Sequence, residues 1–308
     1  MPSTLKPQLL RRLTVSPQTH PRGQPHLSAA SGLVCANGRV YVISDDEHHL
    51  AVFRDRRSAG VLHRLFSGDL PQKKKARKRL KPDLETLLWL PDGGATATAR
   101  LVALGSGSRP NRNTGVVVHL TAAGQPRRSQ TVLPFDLTPL YRPLAALLGE
   151  VNIEGAMVIG DELVLLNRAV AGRCPNAAAR YRLSDVLALI DGESRELKPT
   201  SVRRYRLGSI DAVPLGFTDA AALPDGGWVF CAVAEDTADS AIDGGCTGSV
   251  VGIVAASGKL LAMHRLSPLA KVEGIAVRVD GGGMTVCLVT DADDPKQSST
   301  LLLAHLRL

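Results

Sequence analysis

Aromatic side chains are scarce in this chain: 5 Phe, 4 Tyr and 2 Trp in 308 residues. So few rings leave little surface on which bases of single-stranded nucleic acid could stack, and they argue equally against a sugar-binding lectin. Cysteine is sparse too. Cys35, Cys174, Cys231, Cys246 and Cys287 make no C-x-x-C pair, so neither a disulfide framework nor a Cys-ligated zinc site is indicated. They read as reduced thiols acting as small hydrophobes, with Cys35, Cys231 and Cys287 in or beside predicted inner strands. H-E-x-x-H is missing, and the adjacent His48 and His49 carry no metal-binding spacing. No apolar run reaches the ~18 residues of a membrane span, and Met1 to Leu10 holds no apolar core of signal-peptide length. The expectation is a cytoplasmic monomer with no membrane contact.

Charge of one sign is not lacking, but it is local. The net charge is +8, and Lys73, Lys74, Lys75, Arg77, Lys78, Arg79 and Lys81 supply seven of the cations, leaving +1 elsewhere. A basic loop over residues 71–82 accounts for the surplus. It is either a solvated loop or a contact for an anion, and nucleic acid is not the expected partner.

What the sequence does have is a repeat. Ser31-Gly-Leu-Val-Cys, Glu85-Thr-Leu-Leu-Trp, Glu154-Gly-Ala-Met-Val, Asp219-Ala-Ala-Ala-Leu and Glu273-Gly-Ile-Ala-Val each open an apolar strand. A turn follows each one: Asn37-Gly38, Asp92-Gly93, Gly160-Asp161, Asp225-Gly226 and Asp280-Gly281. Such dipeptides tolerate the positive φ of tight hairpins. The second strands, such as Val40-Tyr-Val-Ile43 and Trp228-Val-Phe-Cys-Ala232, are continuous β-forming runs, as expected when both faces are buried. A unit of this kind recurring five times marks a radial array. The expectation is therefore all-β: a single domain over residues 1–308, a β-propeller of five blades, with six as the alternative. A strand in residues 1–29, at Leu10 to Val15, would complete the last blade and remove the open sheet edges.

In a propeller the start of each first strand and the end of each second strand share one mouth of the central channel. Polar residues cluster at those second-strand ends, and Asp46, Ser106, Asn111, Arg112, Asn167, Arg168 and Glu235 are the expected ligand contacts. Four of the five strand openers are carboxylates: Glu85, Glu154, Asp219 and Glu273. Crowded carboxylates repel unless something compensates them. A hard cation such as Ca²⁺ would do so; alternatively each carboxylate accepts backbone N–H bonds from the next blade. Asp291, in Asp291-x-Asp293-Asp294, adds a further oxygen source, although this run lacks the Gly and Glu of an EF-hand loop. Gly105 to Arg112 is Gly-rich and cationic but has neither the ending of a P-loop nor the spacing of a nucleophile elbow.

Pro82-Asp-Leu-Glu85, Asn152-Ile-Glu-Gly155, Gly216-Phe-Thr-Asp219, Lys271-Val-Glu-Gly274 and Val289-Thr-Asp-Ala-Asp-Asp-Pro295 resemble an uncharacterised bacterial β-propeller family, a domain of unknown function. That family is similar to the phytase-like and esterase-like propellers. The resemblance implies Ca²⁺ on rim carboxylates, with Glu85, Glu154, Asp219, Glu273 and Asp291 as ligands. The expected function is binding of a small polar or anionic ligand at the acidic channel mouth, with or without Ca²⁺. The alternatives are metal-assisted hydrolysis of a phosphoric or carboxylic ester, and a protein-interaction scaffold.

Overall fold

The computed structural model describes residues 4–306 apart from 92–98, 128–131, 172, 237–244 and 282. The predicted turn at Asp92-Gly93 lies outside the described residues. Five sheets are arranged radially, each built on four antiparallel strands. Blade one comprises Ala30–Ala36, Arg39–Ser44, His49–Phe53 and Val61–Arg64; blade two Leu84–Pro91, Ala99–Gly105, Thr114–His119 and Leu133–Asp136. Blade three comprises Ile153–Ile159, Glu162–Asn167, Asn176–Arg182 and Ser201–Tyr205; blade four Val213–Ala222, Trp228–Asp236, Gly245–Val254 and Leu260–Leu266. Blade five takes Val272–Asp280, Gly283–Thr290 and Thr300–Leu306 from the end of the chain and Gln8–Arg12 from its beginning.

The closing strand pairs Gln8 with Leu303 and Arg12 with Thr300. It begins two residues earlier than the sequence suggests, and it stops at Arg12 because Thr14 and Val15 bridge to His26 and Gly60 instead. Thr4–Leu5 runs parallel to the outer strand of blade four, so one N-terminal arm touches three blades. No sixth blade hides in the longer units. Their extra length forms helices, Thr138–Leu148 between blades two and three and Leu183–Ile190 after the third strand of blade three.

Five apolar clusters fill the five gaps between blades. Tyr41, Ile43, Leu101 and Val116 join blades one and two; Leu88, Val102, Ile153 and Leu165 join two and three with Leu140 and Leu144 of the intervening helix. Val229, Val251, Ile275 and Val286 join blades four and five, and Leu33, Val42, Val289 and Leu301 join five and one. The few aromatics are concentrated between blades three and four, where Phe217 meets Phe230 edge-on at 5.1 Å and Tyr205 meets Trp228 at 5.6 Å. Second strands lie buried between such clusters, which is why they read as unbroken apolar runs.

The basic segment is not a loop. Lys74–Leu80 is a helix beside the channel mouth, and two of its cationic neighbours face inward: Arg77 is 3% and Lys81 5% exposed. Asn111 donates to the carbonyls of Lys81 and Arg79, and Arg112 to that of Lys78. Asn111 and Arg112, at the end of the Gly-rich segment, thus dock this helix.

Candidate functional site

Each inner strand carries a β-bulge at the same height. The register slips between Ala30 and Leu33, Leu84 and Thr86, Ile153 and Gly155, Phe217 and Asp219, and Val272 and Gly274. A bulge re-aims the extra side chain. The equivalent bulged residues are Ser31, Glu85, Glu154, Thr218 and Glu273, so the fourth opener is Thr218 rather than Asp219. The two hydroxyl positions tie blades together: Ser31 Oγ donates to Leu84 O at 2.7 Å and Thr218 Oγ1 to Val272 O at 2.7 Å. Asp219 is a strut as well, accepting from Ala220 N at 2.8 Å and from Ile275 N of the next blade at 2.9 Å. The three glutamates line the channel mouth.

Around them lies a cavity of about 280 Å³. Its wall carries two charge networks. In the first, Lys81 Nζ pairs with Asp45 and lies 2.9 Å from Asp83 Oδ1, while Arg112 Nη1 is 2.7 Å and Ser106 Oγ 2.6 Å from Asp83 Oδ2. Arg77 Nε holds Asp46 at 3.2 Å. In the second, Arg168 bridges Glu235 at 2.6 Å and Glu154 at 3.6 Å, and Asn152 donates to Glu154 at 2.7 Å. Lys271 Nζ reaches Asp293 at 2.7 Å, Glu273 at 3.3 Å and Glu235 at 3.6 Å. Between the networks stands Glu85, half-buried, with no hydrogen bond or ion pair among the described residues.

Protonation follows this layout. Burial, reinforced by the charges of Glu154, Asp83 and Asp45, pushes Glu85 well above the usual carboxyl range. Burial also raises Glu154, although Arg168 opposes it. Asp45 and Glu273 are each raised to about 7, again chiefly by burial, with Lys81 opposing at the first and Lys271 at the second. Burial would lift Asp83 likewise, but Lys81 and Arg112 outweigh it and hold Asp83 below its ordinary value. Lys81, Arg168 and Lys271 are raised because their carboxylates outweigh desolvation.

Of the residues expected to bind a ligand, Asp46, Arg112, Arg168 and Glu235 line the cavity. Ser106, Asn111 and Asn167 do not. Ser106 serves Asp83, Asn111 holds the basic helix, and Asn167 accepts from Asn152 N and donates to Pro175 O. Glu85, Glu154, Glu273 and Asp291 line the cavity, whereas Asp219 lies outside it. Asp45, Asp83, Asn152 and Lys271 are additions that the sequence reading passed over. The polar-x-Glu spacing of Asp83-Leu-Glu85, Asn152-Ile-Glu154 and Lys271-Val-Glu273 could have revealed three of them. Oxygens of Asp45, Asp83 and Glu85 lie within 4.8 Å of one another, a hard-donor set of the kind Ca²⁺ takes. The Lys81 ammonium lies against two of these three carboxylates, Asp45 and Asp83.

A family model matches residues 26–306. The chain belongs to DUF6929, a family of unknown function. This DUF6929 propeller has no match among curated proteins. Among solved structures it is similar to the α-L-arabinofuranosidase of Podospora anserina solved with cellotriose, at 12% identity and TM-score 0.53, over 99% of this chain and 98% of that one. It is also similar to an engineered family-43 glycoside hydrolase with endo-xylanase and exo-arabinofuranosidase activity, at 10% identity and TM-score 0.50, over 91% and 51%. The likeness is one of fold. No helix among the described residues is long and apolar enough to cross a membrane.

Proposed function

We propose that the protein binds a small polar ligand at the mouth of its channel, one rich in hydrogen-bond donors such as hydroxyl or amine groups. One observation carries this reading: Glu85 lines the cavity with no partner, while Lys81, Arg112, Arg168 and Lys271 beside it are each held by carboxylates. A ligand hydroxyl, which both donates and accepts, satisfies the protonated Glu85 carboxyl directly. An anion drawn to any of these four would first have to separate a buried cation from its carboxylate, which costs roughly 3–5 kcal/mol when a buried pair is broken. The expected ligand class therefore narrows from polar or anionic to polar and donor-rich.

Thermal unfolding with three compound sets tests it: neutral polyols and sugars, small amines, and phosphates or carboxylates. A ligand at 100 times its Kd adds about 2.7 kcal/mol to stability. Members of the first two sets should raise the midpoint of the wild type and leave Glu85→Ala unmoved. Stabilisation by phosphates or carboxylates alone would overturn the reading.

A hydrolytic reading also has a specific observation in its favour. Glu85 is driven up and Asp45 lies near neutrality, with an oxygen within 4.8 Å of one on Glu85. Carboxyls whose environments separate their proton affinities can share the roles of acid and base. Glu85 would donate a proton to a leaving oxygen and Asp45 would take one from water. Chromogenic ester and glycoside panels assayed across pH test this, with turnover abolished in Glu85→Gln as the expected result; no turnover in any wild-type assay leaves the binding reading alone.

A further inference from the structure

Three lysines open the helix Lys74–Leu80, Lys73 at its N-cap and Lys74 and Lys75 in its first turn, and no acidic residue accompanies them there. They stand at the positive end of the helix dipole, which carboxylates stabilise and cations do not. Helix stability therefore does not explain them. Docking does not explain them either, because other groups perform it: Arg77 and Lys81 face inward, and Asn111 and Arg112 hold the carbonyls of Lys78, Arg79 and Lys81. Lys73, Lys74, Lys75 and Arg79 are exposed, and so is Arg109, two residues before Asn111. The exposed acid on the same connector, Asp69, is tied to Arg64 at 2.7 Å. Leu80, the last residue of the helix, is 63% exposed.

Connectors that run from the outer strand of one blade to the inner strand of the next lie on the mouth face of the ring, since every inner strand starts there. Two more of them expose a leucine: Leu147, 52% exposed, in the helix between blades two and three, and Leu269, 59% exposed, between blades four and five. One exposed leucine is ordinary. Three on separate connectors of one face, with a cationic patch beside the first, call for a partner that is anionic, broad and apolar just below its surface. We propose that this face docks on an anionic lipid bilayer, with Lys73, Lys74, Lys75, Arg79 and Arg109 on the headgroups and Leu80, Leu147 and Leu269 at the acyl boundary. A nucleic acid would engage the cations but leave the leucines in water, and no aromatic side chain is exposed to stack on its bases. An acidic peptide on the helix would reach one connector. The expectation of no membrane contact rested on the lack of a spanning run, which a surface contact does not need. The docking is independent of what the cavity binds.

Co-sedimentation of the full chain with vesicles of phosphatidylcholine, alone or mixed with phosphatidylserine, tests the proposal. The chain should pellet with the mixed vesicles and not with phosphatidylcholine alone, and the bound fraction should fall as salt screens the patch. Lys73→Ala, Lys75→Ala and Arg79→Ala combined should weaken binding about a hundredfold. The same variant should keep the wild-type melting midpoint, since docking of the helix runs through Arg77, Lys81, Asn111 and Arg112. Leu80→Trp reads the leucine: its emission, with the Trp89 and Trp228 signal of the parent subtracted, should shift to the blue on mixed vesicles and be quenched by acyl-brominated lipid. No pelleting at low salt, or a triple variant that binds as the wild type does, would overturn the docking surface. Retention on polyglutamate or duplex DNA without vesicle binding would assign the cations to an acidic macromolecule and overturn the bilayer. Vesicle binding with an unshifted Leu80→Trp emission would overturn the insertion of the leucines.

Discussion

At the scale of single residues, Lys81 carries the greatest burden. It touches Asp45, Asp46 and Asp83 from a nearly sealed position, and removing one partner of a buried network leaves uncompensated charge. Lys81→Ala should therefore lose about 3 kcal/mol by denaturant titration. It should also acquire a response to Ca²⁺: millimolar Ca²⁺ raises its melting midpoint, while the wild type melts alike with Ca²⁺ or chelator. Ca²⁺ stabilisation of the wild type would show that the ammonium does not stand in for a metal. Glu273 gives the pH prediction. Its ordinary value is 4.5 and its folded value about 7, so the folded state holds a proton that the unfolded chain releases. Its contribution is present below the lower value and fades as pH rises through the higher one. Measured from pH 4 to 8, the stability of wild type relative to Glu273→Gln should fall across about pH 4.5–7 and be level outside that window.

At the scale of elements, the bulged inner strands and the docked helix do the positioning. A Cβ on Gly155 would come 2.9 Å from the Asp219 Cα of the next blade, and neither backbone can give way. Gly155→Ala should cost about 1–3 kcal/mol by denaturant titration and leave the isolated hairpin turn at Gly160 intact. Asn111→Ala removes two bonds to the basic helix, and trypsin should then cut within Lys73–Lys81 several-fold faster than in wild type. The hairpin turns among the described residues, the continuous second strands, the five-fold repeat and the channel-facing glutamates were legible in the sequence, because turn chemistry and apolar runs are local signals. The bulge was not. Buried strands have no polar alternation to mark register, so Asp219 aligned with the glutamates when Thr218 is their equivalent. The helix at Lys74–Leu80 was hidden for a different reason. Seven cations read as a solvated loop, and the carboxylates that draw Arg77 and Lys81 inward, Asp46 and Asp45, lie some thirty residues upstream.

At the scale of the whole molecule, the N-terminal arm decides whether the ring is one object. Gln8–Arg12 completes blade five, Thr4–Leu5 lies on blade four, and Arg11 donates to Ser58 O of blade one. Deleting residues 1–15 should expose the edge of Thr300–Leu306, lower the melting midpoint and produce concentration-dependent association by size-exclusion chromatography; a truncated chain that melts and elutes like the full one would refute that account of closure. The same arm imposes an order on biosynthesis. Within residues 4–306, Gln8–Arg12 is made before the other strands of all five blades, whereas its partner, Thr300–Leu306, is made after them. Throughout translation the nascent propeller therefore carries an unpaired strand at one end and an unfinished sheet at the other. Chains stalled a few dozen codons short of residue 306 are the population in which that strand is free to pair with a neighbouring molecule.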